Sequence, residues 1–585
     1  YLEDEKKNFT RIQMKKKLLP KLTSNFESLV TSGSFFVDKT QYIQQLESLN
    51  APNLFFLRPR RFGKSLLLSM LEHYYGIQHK DRFEELFGEY HVGKPGNSTP
   101  LRNSYYILKF NFSGIKTDEP GKIFMHFTTE VRGAVDLFLN SYKLVSNEER
   151  ESIYSLDDAN TILRNALFKI LSNRPGIKIY LLIDEYDHFT NELFSFNNPH
   201  FKEIVSRNGR VRKFYEAIKI YMGEGLIDRF FATGVTPVTL DSMTSGFNVA
   251  RNISLDDRFN EMGGFTEAEL KDLIVNTIYE EGAFNLDQVV EDMRAWYNGS
   301  RFSPEGGAKL YNPQMVVTFL SDFSRNYEYP VRMLDPNITS DYKKIANILE
   351  PLPKEIKDDI TEDVLNKEQI AEGLTIQYNF ERDYTKTDAV SLLYYNGLLT
   401  IDDSFAGLMT YGIPNYVVKQ LYWEFFRAIK EKEDKFHFDI GEIGQSLKAM
   451  ALEGTIERLT NYAQKVMRSI SFRDFQNFSE KHLKMIFMTI LAGNAAYFVT
   501  SELETGKGYA DIFLKKTKVN TGRWDHLIEL KYMKANDTRS LDELIIQGKE
   551  QITKYLDTLH TEDRENLKTW LLIFRGKAEL KMYEV

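Results

Sequence analysis

Apolar and polar positions alternate along this 585-residue chain in two rhythms. Between residues 53 and 265, short apolar runs rich in β-branched and aromatic residues are separated by stretches of helical period. Asn53–Leu57, Tyr105–Asn111, Ile177–Ile183 and Asp228–Thr233 read as strands, the order expected of an α/β domain. Ser34–Thr40 reads as a further strand-like run, and Lys15-Lys16-Lys17 as a solvated helix face. From 266 to 350 the pattern is mostly helical, opened by Thr266 as a cap with Glu269 three residues on. Ala389–Ile401 followed by "YGIPN" predicts a helix, a turn and a small hairpin, and a helical stretch then runs to about 470. The remaining residues return to mixed α/β. The expected divisions are 1–45, 46–265, 266–350, 351–470 and 471–585, within the three to five domains, roughly, that this length predicts.

Composition narrows the class. A hydrophobic content of 42% with 27% charged residues is that of a soluble globular protein. A net charge of −8 argues against a surface coated in nucleic acid but leaves room for a local basic groove. The absence of cysteine excludes disulfides, thiolate metal sites and cysteine nucleophiles, and agrees with a cytoplasmic location. No apolar run reaches the roughly 20 residues of a membrane helix; the best candidate, Met485–Val499, contains Gly493 and Asn494. No secretory signal opens the chain, and its start at Tyr1 rather than Met leads us to expect preceding residues.

The first chemical constellation centres on FFLRPRRFGKSLLLSM (55–70). An apolar strand runs into Gly63-Lys64-Ser65 and then a helix, the order of a phosphate loop. Gly63 permits close backbone approach, Lys64 suits β- and γ-phosphates, and Ser65 suits Mg²⁺. The general motif begins with glycine where this chain has Arg58. Arg58, Arg60 and Arg61 either face phosphates or anchor the loop. The run IKIYLLIDEYD (177–187) supplies the partner. It places Asp184 at a strand end to hold Mg²⁺ through water, with Glu185 to polarise the attacking water. Thr233 or Thr236, after a further apolar strand, could sense the γ-phosphate. Arg229, Arg251 and Arg258 are candidate charge-stabilising arginines.

The second constellation lies near the C-terminus. Asp511 opens one apolar strand, and Glu529-Leu530-Lys531 closes another with Glu529 and Lys531 on one face. Two carboxylates can hold Mg²⁺, with Mn²⁺ as an alternative, while the lysine orients a water for phosphodiester attack. A helix containing Glu480 precedes these strands and a helix containing Gln547 and Gln551 follows them.

Together, "VDKT" (37–40), "RPRRFGKSLLLSML" (58–71), "LLIDEYD" (181–187), "TGVTPV" (233–238), "SGFN" (245–248) and "GGFTEAEL" (263–270) resemble the bacterial AAA-ATPase-like family, whose phosphate loop is written with Arg at the position of Arg58. The resemblance implies that Arg61, Phe62, Gly63, Lys64, Ser65 and Leu66, with Asp184 and Thr236, bind ATP. It also implies a P-loop NTPase core at 46–265, a helical lid at 266–350 and a winged-helix-like module with a helical connector at 351–470. The order helix–strand–strand–helix, with Ser501-Glu502, Gly506, Gly508, Asp511, Glu529, Lys531 and Gln551-Ile552, resembles the PD-(D/E)XK nuclease superfamily, a restriction-endonuclease-like α/β fold. Carried over, Asp511 and Glu529 bind metal, Lys531 supports the water and Gln551 supports the site. Glu480 is the further acid, with Glu502 its competitor. Tyr509 replaces an arginine frequent in that family. The implied partner is nucleic acid, DNA rather than RNA, with no membrane and with a homo-oligomer compatible. The expectation is an ATPase coupled to a nuclease. The alternative is a non-cleaving ATP-dependent switch in which the nuclease-like fold is a binding platform.

Overall fold

The computed structural model describes residues 16–116, 119, 122–188, 210–238, 250–330, 333, 342–378, 383–434, 438–469, 478–491, 494, 496–505, 508–534, 540–557, 564–576 and 579–585. These residues fall into two compact units. One draws on positions within 1–194, 199–294 and 301–328, the other on positions within 195–198, 295–300 and 329–585.

The first unit is built on a parallel sheet. Its strands are β1 (Asn53–Leu57), β2 (Tyr106–Asn111), β3 (Ile179–Asp184), β4 (Ile227–Gly234) and the short β5 (Arg251–Asn252), in the order β2-β3-β4-β1-β5. Every pairing in it is parallel. β1 and β3 are buried at every position, as strands covered on both faces must be. Leu68, Tyr74 and Tyr75 of helix Lys64–Tyr75 share one core with Phe56 of β1 and Leu182 of β3, each apolar side chain contributing about 1.5–3 kcal/mol on burial. β4 lies between β1 and β3, so the strand bearing Thr233 separates the phosphate-loop strand from the strand ending in Asp184.

Two local expectations fail. Lys16 and Lys17 lie in no helix, and Lys15 lies outside the described residues. Lys17 is held by Glu89 at 2.5 Å and its N–H donates to the Asn276 carbonyl at 3.1 Å, so tertiary partners override the local pattern. Ser34–Thr40 forms no strand; only Ser34 makes an isolated bridge, to Leu18. Asp38 instead accepts from the N–H and hydroxyl of Thr40, shaping a turn before helix Gln41–Ser48. The predicted cap at Thr266 is a complete capping box with Glu269.

In the second unit, helix Lys386–Tyr395 leads through a turn to the hairpin β7 (Thr400–Phe405) and β8 (Leu408–Gly412). β8 also pairs with β6 (Gln369–Glu372). A second five-stranded sheet follows: β9 (Tyr497–Thr505), β10 (Gly508–Lys516), β11 (Asp525–Met533), β12 (Leu567–Arg575) and β13 (Glu579–Glu584). Its order is β13-β12-β11-β10-β9, with β11 and β12 parallel and the other pairs antiparallel. The parallel pair needs a crossover, which helix Leu541–Leu556 supplies. That helix packs Leu544, Ile552 and Tyr555 on Phe513, Leu527, Leu571 and Ile573. Gly548 allows the close approach: a Cβ there would sit 2.4 Å from Leu571 Cδ1. The opposite face meets helix Glu480–Leu491, where Phe487 lies edge-on to Phe574 at 5.8 Å. Met485–Val499 is thus split between a helix and a strand, and among the described residues no helix is long and apolar enough to cross a membrane.

Candidate functional site

The loop between β1 and helix Lys64–Tyr75 turns on Gly63, whose φ of 83° is a left-handed conformation that favours glycine. Among the described residues no side chain caps this helix, which leaves its first N–H groups open to an anion. Lys64 is buried, and its ammonium donates to the carbonyls of Arg58 and Pro59 at 3.0 Å each. Burial lowers its pKa to about 8, against the opposing pull of Glu185, Asp184 and Asp187. A cavity of about 460 Å³ opens beside the loop. Arg61, Phe62, Gly63, Lys64, Ser65, Leu66 and Glu185 all line it, with an apolar wall that includes Val37, Phe265 and Val317.

Arg58 points elsewhere. Its buried guanidinium lies 4.4 Å from the Phe56 ring and 4.3 Å from the Phe302 ring. It donates to the carbonyls of Leu57 and Ser254 at 2.8 Å, of Phe259 at 2.6 Å and of Asn260 at 3.3 Å. The arginine that breaks the general motif therefore anchors the loop to residues 254–260. Lysine cannot reproduce this planar fork. Arg58→Lys is expected to cost about 2–4 kcal/mol, read as a lower urea midpoint for the unit; an unchanged midpoint would deny the anchor a stabilising role.

Asp184 ends β3, buried, and accepts from the Thr233 hydroxyl at 2.7 Å. Glu185 follows with a φ of 50°, a rare conformation for a non-glycine residue that recurs at functional sites. Its carboxylate faces His188 at 3.2 Å, and that contact holds its pKa below the ordinary carboxylate value. Thr236 is placed differently from the expectation. Its N–H and hydroxyl both donate to Asp187, at 2.6 and 3.1 Å, and it does not line the cavity. Asp187, which the sequence reading left without a role, clamps the chain after β4 by also accepting from the Val235 N–H. Arg229 sits at the opposite end of β4, its guanidinium 5.8 Å from the Tyr180 ring, far from Thr233. Arg251 and Arg258 are both held by Asp256.

At the second site, β10 and β11 pair Ile512 with Ile528, so Asp511 and Glu529 each follow directly on that pair at the same end. Asp511 accepts the Leu530 N–H at 2.9 Å. Lys531 donates to Glu529 Oε1 at 2.7 Å and lies 3.6 Å from Glu480, the first residue of its helix. Among the described residues, Glu529 Oε2 and Gln551 Oε1 are buried acceptors with no donor. Such atoms are costly unless a cation or water meets them, so these residues fit a divalent ion. The side chains of Glu502 and Tyr509, and Gly506, lie outside the described residues. Two neighbours were missed from sequence. Lys484, one helical turn after Glu480, is buried and acts on Asp511 as a positive charge; Tyr555, one turn after Gln551, feels both acids. Helical i+4 spacing was the available signal.

Burial first, then Asp511, pushes Glu529 up to about 7 from an ordinary 4.5. The folded state therefore holds a proton that the unfolded state has released between these values. Stability of the metal-free protein must fall as pH rises through that window, by up to about 3 kcal/mol. In chelator, the melting temperature is expected to drop from pH 5 to pH 7.5, and less so in Glu529→Gln. Equal drops would contradict the assignment.

These two geometries meet the comparisons with known proteins. Residues 20–244 match the family described as "Predicted AAA-ATPase", and residues 478–584 match the PD-(D/E)XK nuclease superfamily. The chain carries an AAA-ATPase-like domain and a C-terminal PD-(D/E)XK nuclease superfamily domain. A curated relative, an "Uncharacterized protein in vnfD 5'region" of Azotobacter chroococcum mcd 1, is 26% identical over 310 residues, 51% of each chain. The chain thus spans about half the length of that relative.

Proposed function

We propose that this chain binds and hydrolyses ATP at the Gly63–Ser65 loop and cleaves nucleic-acid phosphodiesters, with DNA favoured over RNA, at the Asp511–Glu529–Lys531 site. The observation that carries the nuclease reading is the pair of buried oxygens near Asp511, Glu529 Oε2 and Gln551 Oε1, that meet no donor among the described residues. Asp511, Glu529 and Gln551 would hold Mg²⁺ or Mn²⁺, with Glu480 as a further acid. When bound, the ion supplies Lewis-acid polarisation of water and neutralises charge on the phosphate. Lys531, fixed by Glu529, orients the attacking water. Water adds to phosphorus, the ester oxygen leaves, and the water's proton is given up to solvent or the leaving oxygen.

At the other site, the helix N-terminus and Lys64 receive the phosphates. Ser65 and Asp184 would hold Mg²⁺, Thr233 orients Asp184, and Glu185 directs water at the γ-phosphate. The apolar wall of the cavity suits a nucleobase. The helices after 266 serve as a lid, and the helix and hairpin at 386–412 as a winged-helix-like nucleic-acid contact.

The test incubates the protein with labelled single- and double-stranded DNA and RNA in Mg²⁺ or Mn²⁺, with and without ATP. Metal-dependent cleavage is expected. Binding of nucleic acid with no cleavage under any condition would favour the non-cleaving switch.

A further inference from the structure

Glu27, His73 and His79 lie outside both sites, and their ligand atoms all fall within 4.8 Å of one another. They come from three elements: helix Phe26–Thr31, the last turn of helix Lys64–Tyr75, and the 3₁₀ turn Ile77–Arg82. We propose that Glu27, His73 and His79 together bind one divalent transition-metal ion of the zinc class.

The argument begins with the protons of His73. Its Nδ1 lies 2.7 Å from the Ser69 carbonyl oxygen. A carbonyl only accepts, so Nδ1 carries the hydrogen. Nε2 lies 3.2 Å from Glu27 Oε2, another acceptor. A neutral ring would then aim its lone pair at a carboxylate. That contact is stable only with a positive centre between the two atoms, either a second proton or a metal ion. Two ligands about 2.0–2.1 Å from a tetrahedral zinc are about 3.3 Å apart, close to the spacing already present. The Nδ1–H to carbonyl bond also fixes the tautomer and orientation that a metal-bound histidine has.

The third group favours the metal over the proton. The His79 ring stacks on His73 with centroids 4.1 Å apart. The ligand atoms of all three groups lie within 4.8 Å of one another, so a second imidazole reaches the same point, which a proton shared between two atoms would not require. Arg82 takes the other Glu27 oxygen, Oε1, and also holds Glu85. This leaves Oε2 for the ion and steadies the helix that presents it. Two imidazoles and one carboxylate select zinc-like ions over Mg²⁺ and Ca²⁺, which prefer all-oxygen sets. Glu27 and His79 are half-buried, so solvent can complete the fourth position. Bound there, the ion ties the end of the phosphate-loop helix to the elements on either side of it.

The test uses the full chain carrying Glu529→Ala, so that the acidic nuclease site does not contribute metal binding. After chelation and dialysis, Zn²⁺ is titrated by calorimetry and Co²⁺ by visible absorption. One equivalent is expected to bind at micromolar concentration or below, with a tetrahedral cobalt spectrum. His79→Ala is expected to weaken binding by at least ~10-fold, a loss that even indirect ligand changes reach. Glu27→Gln, which keeps the shape of the side chain, gives the same reading if His79→Ala does not fold. Zn²⁺ should raise the melting temperature of the parent and not of the variants. No saturable zinc binding, or variants that bind as the parent does, would overturn the proposal and leave His73 and Glu27 as a proton-bridged ion pair.

Discussion

Glu529→Ala is expected to lower metal-dependent cleavage by at least ~1,000-fold, equivalent to about 4 kcal/mol of transition-state stabilisation. Three effects converge on this carboxylate. It lies near Asp511, which acts on it as a like charge, it fixes Lys531 at 2.7 Å, and its second oxygen has no partner among the described residues. Truncation would remove the proposed ligand of the ion and release the lysine together. Asp511→Asn should have a comparable effect, because the amide keeps the shape but cannot supply the charge. Lys531→Ala should retain metal affinity more fully while losing rate, as expected of an ammonium proposed to orient water rather than hold the ion. Cleavage by Glu529→Ala at the parent's rate, with the same metal dependence, would remove the site from the mechanism. Far-UV circular dichroism must show that the variants are folded. Relieving a buried acid whose ionisation is disfavoured should make the metal-free variant more stable near neutral pH.

What could be read from sequence was local. β1, the glycine turn and the helix after it are contiguous, and the period changes from strand to helix at Gly63. The all-apolar run ending in Asp184 needed no tertiary information to be read as a buried strand. The same holds for Glu529 and Lys531, whose shared face follows from the two-residue repeat. The role of Arg58 could not be read this way. Its partners lie at 254–260 and at Phe302, about 200 or more positions away, and no local rule connects them. Thr236 failed for a related reason. A hydroxyl after a strand is equally suited to a phosphate and to a carboxylate, and Asp187 claims it. Glu27 and His73 are 46 positions apart and meet only because two helices pack. Arg229 shows the cost of ignoring direction along a strand: it is near the ligand-binding strands in sequence but at their other end.

Lys64→Ala is expected to weaken ATP binding by at least ~100-fold, or about 3 kcal/mol. Glu185→Gln should keep affinity and lose most hydrolysis, by about 10²–10⁴-fold. The two residues are placed for different roles. Lys64 lies along the loop with its ammonium on the Arg58 and Pro59 carbonyls, so it is pre-placed beside the open helix N-terminus. Its loss removes a charge that incoming phosphates would meet. Glu185 lies on a different strand end, with its backbone in a left-handed turn that sends its carboxylate towards the cavity. His188 lowers its pKa, so it is ionised at neutral pH and ready to accept a hydrogen bond from water. Glutamine keeps that shape without the charge. Equilibrium binding of a fluorescent ATP analogue, measured alongside phosphate release, distinguishes the outcomes. Unchanged affinity in Lys64→Ala would show that the loop does not receive the nucleotide. Hydrolysis surviving in Glu185→Gln would assign the water to another base. If both variants behave as expected and cleavage of nucleic acid by Lys64→Ala still proceeds at the parent's rate, the two chemistries run independently. If cleavage falls with nucleotide binding, the ATPase site controls the nuclease, because Lys64 opens the helix after β1 in the first unit while Asp511 and Glu529 lie on β10 and β11 in the second.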